Sequence, residues 1–243
     1  MSGLHMIELR PDIAALMRFI YSQGLDAGAD ETDLGYGVHA WMGAAFGELA
    51  PKPWRLFLDR RRPPRILAYA GHDAGELQKR MREFAEPGVY AVCPDPDADI
   101  ASRPMPDWKQ GRRLVFEVLC CPVGRKSRSG VEKDLFLIKA DTDPQETLQR
   151  DAVYCDWARE RLQRNEATTV RSIRLNGFRL VQQSRRAQRT AEQRGRKQLV
   201  RPHALVQGEL VVNNPETFTE LLVHGIGRHR AFGYGMLLLK PPS

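Results

Sequence analysis

The sequence predicts an α+β protein built from two tandem β-α-β-β-α-β units. Three observations carry this expectation. Apolar residues switch between strand-like and helical spacing in that order over residues 1–95. The same order returns, more elaborated, over 111–243. Between them, 96–110 is rich in proline and aspartate, shows no period and reads as a linker.

In the first unit Leu4 to Leu9 is a short strand. Pro11 precedes a helix whose apolar face is Ile13, Leu16, Met17 and Ile20. After a Gly/Asp-rich break at 24–30, Leu34, Val38, Trp41 and Ala45 line one face of a second helical stretch. Trp54 to Asp59 and Ile66 to Ala70 read as strands joined by an Arg/Pro-rich turn. Leu77, Met81 and Phe84 mark an amphipathic helix, and Val89 to Val92 is expected to close the sheet. In the second unit Leu114 to Leu119 and Leu135 to Lys139 read as strands, and Pro144 as the start of a helix reaching about Leu162. Strands follow near Val170 to Val181 and Leu205 to Val212. Asn214 and Pro215 open a helix that Gly225 stops. The apolar run Met236 to Leu239 is the last strand. Two helices on one face of a four-stranded antiparallel sheet is the ferredoxin-like plan, which the RNA recognition module shares.

Composition narrows the partners. The 243 residues include 37 Lys+Arg against 30 Asp+Glu, a net charge of +7. The pI near 9.4 favours an acidic partner such as nucleic acid. No apolar run approaches a membrane span of about 20 residues, and the N-terminus lacks the core of a secretory signal. Cys93, Cys120, Cys121 and Cys155 form no C-x-x-C pair and read as buried thiols of a cytoplasmic protein. The histidines and cysteines show no metal-ligand spacing, so neither a metal nor another cofactor is expected.

Two segments concentrate positive charge. Between Arg171 and Arg201 stand ten basic residues and one acid, Glu192. Residues 182–201 read as an arginine-rich helical insertion, a hairpin tip being the other way to build it. Arg179, Arg185, Arg186, Arg189, Arg194, Arg196 and Lys197 are its candidate RNA contacts, although blocks of like charge are often only solvated. Arg125, Lys126 and Arg128 form a second basic turn, as readily a solvated loop as an RNA contact. At 225–235 the chain reads Gly-Ile-Gly-Arg-His-Arg-Ala-Phe-Gly-Tyr-Gly. Gly225, Gly227, Gly233 and Gly235 permit positive φ and close approach to something bulky. Arg228 and Arg230 suggest that the bulky group is anionic. The loop lacks the G-K-[ST] ending of a nucleotide-binding P-loop.

That glycine loop, with the Tyr-x-x-His of Tyr36 and His39 and two ferredoxin-like units, resembles a CRISPR-associated repeat endoribonuclease of the CasE type, in the RAMP superfamily. The large basic insertion is also similar to type IV CRISPR relatives. The resemblance implies a metal-independent enzyme that cuts repeat transcripts at the 3′ base of a stem-loop. The product hairpin, with its 2′,3′-cyclic phosphate, would stay bound, and the enzyme would join the backbone subunits of a ribonucleoprotein complex. It places His39 as the catalytic histidine and Tyr36 beside it. The chemistry is self-consistent: RNA carries its own 2′-hydroxyl nucleophile and needs a proton acceptor, a proton donor and positive charge at the phosphate. Whether His39 is base or acid stays open, and His224 and His229 are the rival histidines. The alternative function is an inactive subunit that only caps the hairpin.

Overall fold

The computed structural model describes residues 3–25, 34–59, 61–125, 132–142, 147–185 and 197–242, without the side chains of 182–185 and 197–199. The chain divides into two compact units. The first comprises residues 1–105 with 182–200 and 231–233; the second comprises 106–181, 201–230 and 234–243.

The first unit runs β1 (His5–Leu9), α1 (Ile13–Ser22), α2 (Leu34–Phe46), β2 (Trp54–Phe57), β3 (Arg65–Ala70), α3 (Ala74–Phe84), the single turns α4 (Pro87–Tyr90) and α5 (Pro96–Asp99), then β4 (Ile100–Pro104). The strand order β2-β3-β1-β4, antiparallel throughout, is the ferredoxin-like arrangement. Asp12 opens α1 by accepting a hydrogen bond from the Ala15 amide at 2.9 Å. The expected stripe of α2 is buried, joined by Gly37, Met42 and Phe46. Each large apolar side chain fully withdrawn here contributes about 1.5–3 kcal/mol. Trp41 is completely enclosed and donates its indole N–H to the Val89 carbonyl at 3.1 Å.

Two expectations fail in this unit. Val89 to Val92 is no strand: Pro87 starts the one-turn α4, which suits a residue without an amide hydrogen. The closing strand is β4, inside the segment read as linker. It pairs with β1 from Ile100 opposite Leu9 to Pro104 opposite His5. As an edge strand with only Ile100 buried it shows no apolar alternation, and an edge is where a proline is tolerated.

The second unit contains β5 (Arg113–Cys120), β6 (Val123–Arg125), β7 (Glu132–Asp134), α6 (Leu135–Thr142), α7 (Arg150–Leu162), β8 (Thr168–Arg185), β9 (Lys197–Val212), α8 (Pro215–His224) and β10 (Leu237–Lys240). Its main sheet, β10-β5-β9-β8, repeats the first unit's order, with β6 and β7 as a small ribbon. Leu135 to Lys139 is helical, correcting the strand expected there. Short apolar runs are ambiguous by period, and the Asp134 carboxylate decides this one by accepting from the Phe136 amide at 2.9 Å. The following helix starts at Arg150; Pro144 lies outside the described residues. Asn214 caps α8 by accepting from the Glu216 and Thr217 amides, with Pro215 in its first turn. The four cysteines are buried and free. Among the described residues no helix is long and apolar enough to cross a membrane.

Candidate functional site

Tyr36 and His39 stand one turn apart on α2, their ring centroids 6.5 Å from each other. The stripe that buries Val38 and Trp41 leaves His39 exposed. Phe232, from the glycine loop and within the same compact unit, packs against both rings. Phe232 stacks on Tyr36 at 6.0 Å with 15° between planes, and meets His39 edge-on at 5.0 Å. Trp54 anchors this segment by donating its indole N–H to the Ala231 carbonyl at 3.1 Å. Two glycines make the approach possible. A Cβ at Gly35 would stand 2.7 Å from the Phe232 carbonyl oxygen. Gly233, at φ +89°, lays its backbone against the Trp54 ring, where a Cβ would come within 2.9 Å.

Packing has an electrostatic result. Partial burial, then the nearby Lys52 ammonium, hold the His39 pKa below its ordinary value. The imidazole is therefore neutral at pH 7 and able to accept a proton.

In the second unit, Glu132 on β7 is the centre of a charge cluster. Its carboxylate accepts from Arg201 Nη2, Arg228 Nε and His229 Nε2, each at 2.8 Å. The Glu132 and Arg201 side chains are only 10% and 5% exposed. Burial alone would raise the Glu132 pKa, but the surrounding donors and cations outweigh it and hold the carboxyl low. Burial lowers His229 further than Glu132 raises it, so His229 donates a neutral hydrogen bond at pH 7 and the two arginines supply the charge. His229 also adopts φ 63°, unusual for a residue with a side chain. The other rival, His224, is tied through Nδ1 to the Glu220 carbonyl, 2.8 Å away in the preceding turn.

The structure thus gives the expected site residues different surroundings. Gly225, Gly227, Gly233 and Gly235 all have positive φ, 62°, 77°, 89° and 80°. Their close neighbours include the protein's own groups, such as the Trp157 ring 2.7 Å from a Cβ placed on Gly227. Arg228 is engaged with Glu132 yet 42% exposed. Arg230 is exposed and donates to the His224 carbonyl. Arg179 is exposed on β8, and Arg125 is exposed at the end of β6. Arg185 ends β8 and Lys197 begins β9, so the basic segment expected to be helical is entered and left along strands. Lys126, Arg128, Arg186, Arg189, Arg194 and Arg196 lie outside the described residues. Arg201, counted only as one of the ten basic residues from Arg171 to Arg201, is buried. Phe232, Lys52 and Glu132 were not singled out in the sequence. Phe232 lay in plain view inside the glycine loop, while Glu132 gave no signal beyond being an acid after a basic turn. Among the described residues no group of three or more His, Cys, Asp or Glu side chains is arranged to hold a metal ion.

A family model described as "CRISPR associated protein" matches residues 4–241. Among solved structures, a CRISPR endoribonuclease Cse3 bound to 19-nucleotide RNA is similar, with a TM-score of 0.63, 20% identity, and 98% of this chain and all of that one covered. Thermus thermophilus Cse3 bound to an RNA representing a pre-cleavage complex gives 0.56 and 20% identity, with 98% and 100% covered. Cas6e from Escherichia coli K-12 gives 0.50 and 14%, with 98% and 99% covered. At these identities the likeness is one of fold. No curated protein sequence gives a match.

Proposed function

Because the chain belongs to the CRISPR associated protein family, we propose that it is a metal-independent endoribonuclease that processes CRISPR repeat transcripts. It cleaves at the 3′ base of the repeat stem-loop and retains the product hairpin as a subunit of an interference complex. The single observation that carries this reading is the packing of Phe232 against both Tyr36 and His39. The glycine loop and the Tyr-x-x-His, the two motifs suited to RNA chemistry, supply one cluster.

In the proposed reaction the neutral His39 imidazole takes the proton of a ribose 2′-hydroxyl. The 2′-oxygen then bonds to the adjacent phosphorus, the bond from phosphorus to the 5′-oxygen breaks, and that oxygen leaves with a proton from water, while the His39 imidazolium returns its own proton to solvent. A 2′,3′-cyclic phosphate remains. A base with a pKa below neutrality is fully available at pH 7, and general base catalysis contributes roughly 10²–10⁴-fold. Tyr36, stacked against Phe232, orients the reacting strand with its hydroxyl. Arg228, Arg230 and the basic segment from Arg179 to Lys197, with Arg125, Lys126 and Arg128, bind phosphates. An A-form stem presents those phosphates by shape more than by base sequence.

The test is incubation with the repeat RNA of the source genome in EDTA. Cleavage that a single 2′-deoxy substitution at the scissile nucleotide abolishes supports the proposal. Cleavage that survives the substitution rules out the internal nucleophile. Tight hairpin binding without cleavage would instead identify an inactive hairpin cap.

A further inference from the structure

A cleft of about 650 Å³ opens in the second unit between the end of α7, the end of α8 and the glycine loop. Arg161, Arg164, Arg228 and Arg230 line it against one acid, Glu220. Three of the four arginines are held in place. Arg161 lies over the Trp157 ring at 4.4 Å and donates to the Trp157 carbonyl at 3.3 Å. Arg228 is held through Nε by Glu132, and Arg230 through Nη1 by the His224 carbonyl. Each is anchored by part of its guanidinium and keeps other N–H donors for a ligand, which is how arginine binds phosphate with little loss of side-chain freedom. The wall adds a second, independent sign. Trp157 is 5% exposed and its indole N–H is buried without a hydrogen-bond partner. A buried N–H left unpaired is destabilising, and an acceptor that reaches it relieves that cost.

We propose that this cleft is a subsite for the phosphodiester backbone of a single-stranded stretch of bound RNA. Its volume falls in the range of pockets that enclose small ligands, roughly 300–1,000 Å³, so it suits one or two nucleotides and not the side of a duplex. The subsite rests on the reading of the protein as an RNA enzyme, but its chemistry needs only phosphates on a flexible strand. Arg161 and Arg164 come from α7 and the turn after it, outside both basic segments singled out in the sequence.

The experiment measures fluorescence anisotropy of a labelled, unstructured hexaribonucleotide on the full chain. Wild type is compared with an Arg161→Gln/Arg164→Gln variant. A Lys109→Gln/Arg112→Gln control removes the same charge from exposed positions outside the cleft. The cleft variant is expected to bind about tenfold or more weakly, with a salt slope smaller by about 1.4 for two lost phosphate contacts on a single strand. The control should behave as wild type. The Trp157 indole N–H resonance, assigned with Trp157→Phe, should move when the oligonucleotide binds. Equal affinity of the cleft variant and wild type, or equal losses in variant and control, would overturn the proposal. Repeat hairpin trimmed to its stem-loop, bound by all three proteins, reports separately on the RNA-enzyme reading. A cleft variant weakened as much on the trimmed hairpin as on the hexamer would show that the cleft serves the stem, and would also overturn it.

Discussion

Replacing Glu132 by alanine should destabilise the second unit through one buried cation. Arg201 is 5% exposed, its Nε is already unpartnered, and Glu132 supplies its counter-charge. Removing one partner of such a pair leaves the other charged and desolvated, which costs about 3–5 kcal/mol. Arg228, 42% exposed, is screened by water and adds less than about 1 kcal/mol. Arg201 therefore sets the loss. With a urea slope of about 2 kcal/mol/M, the midpoint should fall by about 1.5–2.5 M. Glu132→Gln retains a carbonyl acceptor and should lose less. A Glu132→Leu/Arg201→Met pair, which removes both charges, should recover much of the stability. The assay is equilibrium urea unfolding followed by circular dichroism at pH 7.5. A loss below about 1 kcal/mol for Glu132→Ala would refute the reasoning, since it would mean Arg201 reaches water.

Acid should act through the same cluster. His229 is held below its ordinary pKa, so between that depressed value and about 6.5 the unfolded chain binds the extra proton and stability falls as pH falls. Glu132 adds a second loss only below about 4.5, and urea midpoints from pH 8 to 4 should descend in that order. His39→Ala should reduce cleavage by roughly 10²–10⁴-fold while hairpin affinity stays within a few fold; unchanged cleavage would move the reaction to another residue. With His39 as base, the cleavage rate should rise with pH and level off below the ordinary histidine value, and a profile still climbing at pH 8 would contradict that role. Gly233→Ala forces a side chain to φ +89° against the Trp54 ring and should cost about 1–3 kcal/mol, visible as a lowered melting temperature. Neutralising Arg185, Arg186 and Arg189 together should weaken RNA binding and flatten its salt dependence; an unaltered slope would place those residues away from phosphates.

What the sequence made legible follows from where apolar periodicity is strong. Leu34, Val38, Trp41 and Ala45 could be read as a buried stripe, and that stripe is what leaves His39 exposed. β4 escaped because an edge strand of Ala, Ser, Arg and Pro has no hydrophobic alternation to show. The Leu135 run escaped because four apolar residues in a row fit either period, and the Asp134 cap acts through geometry. At the site, the glycines read as room for a bulky anionic partner, whereas the Trp157 ring at Gly227 and the Trp54 ring at Gly233 are long-range neighbours that no local pattern names. Arg201 shows the reverse error: one of ten basic residues looks like its neighbours until its burial is seen.

The placement of Ala231 to Gly233 in the first unit has an outcome for biosynthesis. β1 to β4 leave the ribosome first, at a stage when Trp54 lacks its carbonyl acceptor and His39 lacks the aromatic edge beside it. Those groups are translated last. A nascent or truncated polypeptide ending at Met105 would carry the imidazole and the phenol without the ring that packs against both, so the cluster of Tyr36, His39 and Phe232 is complete only at the close of synthesis.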